Sequence, residues 1–109
     1  MLIQLFKSHC LSGNIISQVH LLEAEVFSCE GSNEEAKESY AAAISSAQFS
    51  RFIQEQGLAC ELAGCHYKKI GDPISARIFF GQAKQCYAEW GSQMKVESII
   101  RQLESIEQD

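Results

Sequence analysis

The feature that most constrains this chain is its likeness to itself at a shift of forty residues. Displaced by forty, Leu22 falls on Leu62, Phe27 on Tyr67, Gly31 on Gly71, Ala36 on Ala76, Tyr40 on Phe80 and Ala43 on Ala83. A period of that size marks repeated supersecondary units, each too small to bury its apolar face alone. Gly31 and Gly71 stand where a helix should stop, because glycine enters the left-handed C′ conformation without a Cβ penalty. A new helix should start just after each. In the first copy Ser32 precedes Glu35 by three residues, the pattern of a capping box in which hydroxyl and carboxylate each satisfy an orphan N–H. In the second, Asp72 offers the N-cap oxygen and Pro73 takes the first helical position, where its missing N–H costs nothing.

The residues after these caps have a packing logic. Ala36 and Ala76 suit a close approach of two antiparallel helices, and Tyr40 and Phe80, one turn on, would fill the space where the helices diverge. Ala76, Phe79, Phe80, Ala83, Tyr87 and Trp90 then follow in steps that keep one face apolar. Tyr87 and Trp90 could stack on a ligand, but a stripe of this kind predicts core, and burial of Trp90 would make its truncation cost about 3–5 kcal/mol. Helices are expected near 15–29, 33–48, 51–69 and 73–90. Gly91-Ser92 supplies a stop and a cap, and Val96, Ile99, Ile100, Leu103 and Ile106 predict a fifth helix near 92–107. Leu2 to Leu11 fits the end of a helix from an earlier repeat, with Ser12-Gly13-Asn14 as its turn, so residues 1–14 form an extension to a repeat domain over 15–109.

Composition agrees with an all-α class. One proline in 109 residues leaves helices uninterrupted, and 46% hydrophobic residues are enough for a packed core. The net charge of −5 disfavours nucleic acid, since phosphate neutralisation needs a basic patch and no more than two basic residues, Lys68 and Lys69, adjoin. Met1 to Phe6 is apolar but lacks a preceding positive charge and is broken by Lys7, Ser8 and His9, so no signal peptide is expected. No window approaches the roughly 18 apolar residues of a membrane span. The five cysteines, Cys10, Cys29, Cys60, Cys65 and Cys86, are scattered through helix-like segments. They suit small apolar thiols in a reducing compartment, and a cytoplasmic protein is expected.

A helix, a turn with glycine and a helix carrying Ala, an aromatic and Ala resemble the tetratricopeptide repeat. The period is 40 here against about 34 in that family. Its usual Trp, Leu-Gly and closing Pro positions hold His20 or Cys60, Glu23-Ala24 or Ala63-Gly64, and Gln48 or Ala88. A narrower resemblance rests on Leu21 to Glu25, Tyr40 to Ile44, Phe52 to Glu55 with Leu58 to Ala63, and Ala83 to Gly91 with Lys95-Val96. These segments look like the helical-repeat region of large multidomain signalling proteins that join a kinase-like domain, an AAA/NACHT-type ATPase, a GAF sensor and often a histidine kinase. The resemblance covers residues 15–105. It implies a tetratricopeptide-like right-handed superhelix of antiparallel helix pairs, two repeats (15–48 and 51–90) plus a C-terminal capping helix. It implies a connecting scaffold and no catalytic residue; no Gly-x-x-x-x-Gly-Lys-Ser/Thr loop is present, and none of His9, His20 and His66 lies in a phospho-acceptor context.

Candidate chemistry is sparse. Cys60, Cys65 and His66 form the nearest thing to a metal or thiol group. Zinc ligands normally come as Cys-x₂₋₄-Cys with a second matched pair, and helix positions 60 and 65 project about 140° apart. Structural zinc, other cofactors and a thiol-dependent enzyme are therefore not expected. Glu23, Glu25, Glu30, Glu34, Glu35 and Glu38 suit a solvated face and a helix N-terminus. An acidic binding edge is the rival reading, since residues 1–57 carry seven acids against three bases.

In a tetratricopeptide-like groove the first helix of each pair would present Gln18, Leu21, Leu22 and Glu25, then Leu58, Glu61, Leu62 and Cys65. The Lys and Asn of the familiar carboxylate clamp are missing from those places. Glu25, Glu61, Lys68 and Lys69 are the candidate partner contacts. The expected function is a non-catalytic scaffold or protein-interaction segment whose uncapped N-terminal face continues into further chain, contacts adjacent domains or self-associates. The alternative is a free-standing adaptor that takes a peptide in the groove.

Overall fold

The computed structural model describes residues 13–108, and all of its regular structure is helical. Helix α1 spans Gly13–Glu30, α2 Asn33–Ser50, α3 Ile53–Lys69, α4 Pro73–Trp90 and α5 Gln93–Gln108. The 73–90 helix matches its expected bounds and the others shift by one to two residues. Gly13 and Asn14, expected in a turn, are the first residues of α1. The expectation of an earlier helix over Leu2 to Leu11, and Cys10 with it, lies outside the described residues.

The forty-residue repeat resolves into four junctions spaced by twenty. Gly31, Arg51, Gly71 and Gly91 all have positive φ, at 80°, 62°, 82° and 92°. Each donates its N–H to the carbonyl three residues back (3.1–3.2 Å), and the following residue donates to the carbonyl five back, as in Ser32 to Phe27 and Asp72 to Tyr67, both 2.9 Å. That pair of bonds is the Schellman motif. It also explains why the expected capping box fails. The Ser32 N–H is already spent on Phe27, so Glu35 has no orphan donor to reach back to, and Ser32 makes no side-chain cap bond. The Asp72 carboxylate does cap, accepting from the Ser75 N–H at 3.1 Å. Ser75 thereby holds that carboxyl below the usual range, chiefly through its side chain and then its backbone. Ser92 Oγ caps α5 through the Lys95 N–H at 3.3 Å.

Arg51 occupies the place that glycine holds at the other junctions, and the left-handed region costs an L-residue about 1–2 kcal/mol. Since Arg51 is exposed, Arg51→Gly should raise stability by about 1 kcal/mol after the extra unfolded-state entropy of glycine is deducted. A urea titration showing no gain would contradict this account of the junction.

Short turns make neighbouring helices antiparallel, and packing is most extensive within the pairs α1/α2 and α3/α4, with α5 closing against α4. The core lies between them: Ala36, Ala43, Ala76, Ala83, Phe80, Tyr87 and Ile99 are almost wholly buried, as is Tyr40. Where large rings meet α3, glycine makes room. An added Cβ on Gly64 would lie 2.8–3.0 Å from three ring atoms of Phe80, and one on Gly57 would lie 2.9 Å from Tyr87. Tyr67 and Phe79 stack at 5.1 Å and extend the α3/α4 contact outward.

Trp90 corrects the core expectation. It is 51% exposed in the last turn of α4, where its ring lies beside that of Tyr87 with centroids 6.4 Å apart. The cysteine expectation holds for Cys60 and Cys86, which are buried, whereas Cys65 is half-buried and Cys29 is exposed.

Candidate functional site: the groove between the first and third helices

Turn-by-turn spacing puts Gln18, Leu21, Leu22, Glu25 and Ser28 on one side of α1, and Leu58, Glu61, Leu62, Cys65 and Lys69 on one side of α3. The two helices run in the same direction and are joined by polar contacts at both ends of these faces. Gln18 Nε2 donates to Glu55 Oε1 at 3.0 Å at one end, and Ser28 Oγ lies 2.8 Å from His66 Nδ1 at the other. Between these polar ends lies an apolar cleft of about 320 Å³ lined by Leu21, Leu22, Leu58 and Leu62, with Gln18 and Glu25 on its rim. Leu58 is 40% exposed there.

Glu25 and Leu62 also line a smaller pocket of about 170 Å³ with Ser28, Tyr40, Cys65, His66 and Lys69. Lys69 Nζ donates to Ser28 Oγ at 2.7 Å and to the Ser28 carbonyl at 3.0 Å. An ammonium only donates, so Ser28 Oγ is the acceptor from Lys69. The His66 ring is 2% exposed and its Nε2 has no hydrogen-bond partner. Glu55 Oε2, at the far end of the groove, is likewise buried without one. Burial, and then the adjacent Glu25 carboxylate, push the Tyr40 hydroxyl pKa up.

The four candidate contacts therefore divide. Glu25 and Lys69 share the α1/α3 pocket. Glu61 accepts from the Tyr87 hydroxyl at 2.8 Å and pairs with Lys95 at 3.3 Å. Lys68 donates to Ser105 at 2.8 Å and to Gln102 at 3.4 Å. Glu61 thus ties α3 to α4 and α5, and Lys68 ties it to α5. Glu30, Glu34, Glu35 and Glu38 are exposed, consistent with a solvated face. Ser28 and Tyr40 were not among the candidate site residues, and His66 was weighed only with Cys60 and Cys65 as a metal or thiol group; no local motif announces the three together. Ser28 and His66 are 38 residues apart, and only the near match of that spacing to the repeat hints that they could meet.

Burial sets the ionisation of this region. It pushes the Cys60 thiol up to about 12 and raises Cys65 and Cys86 as well, so these three are protonated at neutral pH and poor nucleophiles. Among the described residues no group of three or more His, Cys, Asp and Glu gathers as a metal set. Burial, helped by Lys69 and Lys37, lowers the His66 pKa.

A lowered histidine pKa means that the unfolded chain takes up the proton first. The neutral ring's contribution is present above the unfolded value of about 6.5 and is lost as pH falls through the folded pKa. The urea midpoint should accordingly drop between pH 7.5 and 5, and His66→Gln should flatten that slope. An identical slope in the variant would remove His66 as its cause.

No helix among the described residues is long and apolar enough to cross a membrane. No protein-family model, curated protein or solved structure matches the chain.

Proposed function

We propose that the chain is a non-catalytic, tetratricopeptide-like interaction segment whose helix pairs stack as a right-handed superhelix and whose α1/α3 groove receives a protein partner or an adjacent domain. The observation that carries this reading is the leucine-lined cleft of about 320 Å³. Its apolar side chains stay accessible although neighbouring positions are pinned by polar contacts between the same two helices. Clefts of that kind, apolar with a few placed polar groups, are the usual form of recognition sites. In the architecture that the sequence resembles, such a segment would connect an ATPase to a sensor or kinase output. A free-standing adaptor would use the same groove.

Peptide-array binding tests the reading. Leucine-bearing peptides should be retained by the parent chain and lost with Leu58→Glu, which puts a charge at the half-exposed wall of the cleft while sparing the core. Retention unchanged by Leu58→Glu would refute the groove as the contact. Self-association would use a different surface, where Ile16 (45% exposed) and Phe49 (91% exposed) border an open apolar hollow between α1 and α2. Light scattering of the parent and of Phe49→Lys separates that surface from the groove.

A further inference from the structure

The polar pocket at the end of the groove carries a more specific reading. Its charged groups are of opposite sign: the Glu25 carboxylate and the Lys69 ammonium both line it. Lys69 uses two of its N–H donors on Ser28, which leaves a third from the inventory of an ammonium. The His66 ring also borders it, with Nε2 itself buried, so the accessible charged groups of the pocket are those of Glu25 and Lys69. A simple anion would meet repulsion from Glu25 and a simple cation repulsion from Lys69. A ligand that brings both charges answers both.

The apolar cleft adjoins this pocket, sharing Glu25 and Leu62 as common walls. A body that places a zwitterionic head in the pocket can therefore lay an apolar chain against Leu21, Leu22 and Leu58. We propose that this composite site binds a free α-amino acid with a large apolar side chain, its ammonium toward Glu25, its carboxylate toward Lys69 and its side chain in the leucine cleft. The proposal rests on reading the α1/α3 groove as the binding face. It differs from peptide docking in requiring both termini of a single residue.

Titration of the full chain with L-leucine and L-phenylalanine, followed by amide chemical shifts and calorimetry, tests it. Saturable binding should shift the amides of Glu25, Ser28, His66 and Lys69. N-acetyl-L-leucine lacks the ammonium and stands for a peptide C-terminus; L-leucinamide lacks the carboxylate and stands for a peptide N-terminus. Each should bind at least tenfold more weakly than leucine. Glu25→Gln, which keeps the side-chain shape, should weaken leucine but leave the acetylated compound unaffected. Lys69→Gln should weaken leucine and leave the amide unaffected, with its melting curve recorded to confirm folding.

The proposal falls if leucine produces no saturable shifts, if either blocked derivative binds as well as leucine, or if Glu25→Gln binds leucine undiminished. Peptides retained by the groove with no leucine binding would overturn the amino-acid site while leaving the interaction reading in place. Leucine binding with no peptide retention would do the reverse.

Discussion

Phe80→Ala should be the most damaging single truncation in the described core, costing about 3–5 kcal/mol, whereas Trp90→Ala should cost about 1 kcal/mol. Phe80 is fully buried and lies against the bare backbone of Gly64, which has no side chain to move into the void. Trp90, the larger ring, is half in water and loses mainly its contact with Tyr87. A domain of this size has roughly 5–15 kcal/mol in total, so the Phe80 loss consumes much of it. Urea melts of the two variants measure the contrast. Phe80→Leu keeps most of the volume and should fall between them, which provides a reading if the alanine variant is already unfolded. Equal losses at Phe80 and Trp90 would overturn the assignment of the core.

Gly64→Ala and Gly81→Ala should change stability in opposite directions although both place alanine inside a helix. Helix propensity alone favours alanine by about 1 kcal/mol at either site. At Gly81 a Cβ meets nothing within 4 Å, so the variant should gain about 0.5–1 kcal/mol. At Gly64 the new methyl would approach Cγ, Cδ1 and Cε1 of Phe80 to 2.8–3.0 Å. The ring is enclosed and those atoms include its attachment point, so relief requires α3 and α4 to move apart. Overpacking of that kind costs about 1–3 kcal/mol, which outweighs the propensity gain. A combined Gly64→Ala, Phe80→Leu variant should recover part of the Gly64→Ala loss, because the two changes share one contact. A stabilising Gly64→Ala would show that the helices are not held at the separation described.

How much of this was legible in the sequence differs from element to element. The glycine stops at 31, 71 and 91 and the cap at Asp72 could be read directly, since each depends on residues within a few positions. The junction at Arg51 could not, because arginine carries no left-handed preference and adopts that conformation only where the flanking helices impose it. The box at Ser32 and Glu35 was a correct local pattern defeated by a competing local bond, the one from Ser32 to Phe27. Trp90 was misplaced because periodicity assigns a face but not how far the neighbouring helix extends along it. Glu61 and Lys68 looked like available charges, and both are joined to other helices of the fold.

The sequence by itself determined where the helices lie and which side of each is apolar. Backbone hydrogen bonding, caps and a 3.6-residue period act over a few residues, and the forty-residue likeness doubled that signal. Only the tertiary structure decided that α1 and α3 meet along a leucine cleft, and that Ser28, His66, Lys69, Tyr40 and Glu25 converge at its end. Those residues belong to three helices, and the distances between their side chains depend on how closely the pairs pack. That closeness is set by contacts such as Phe80 on Gly64, which no window along the chain contains.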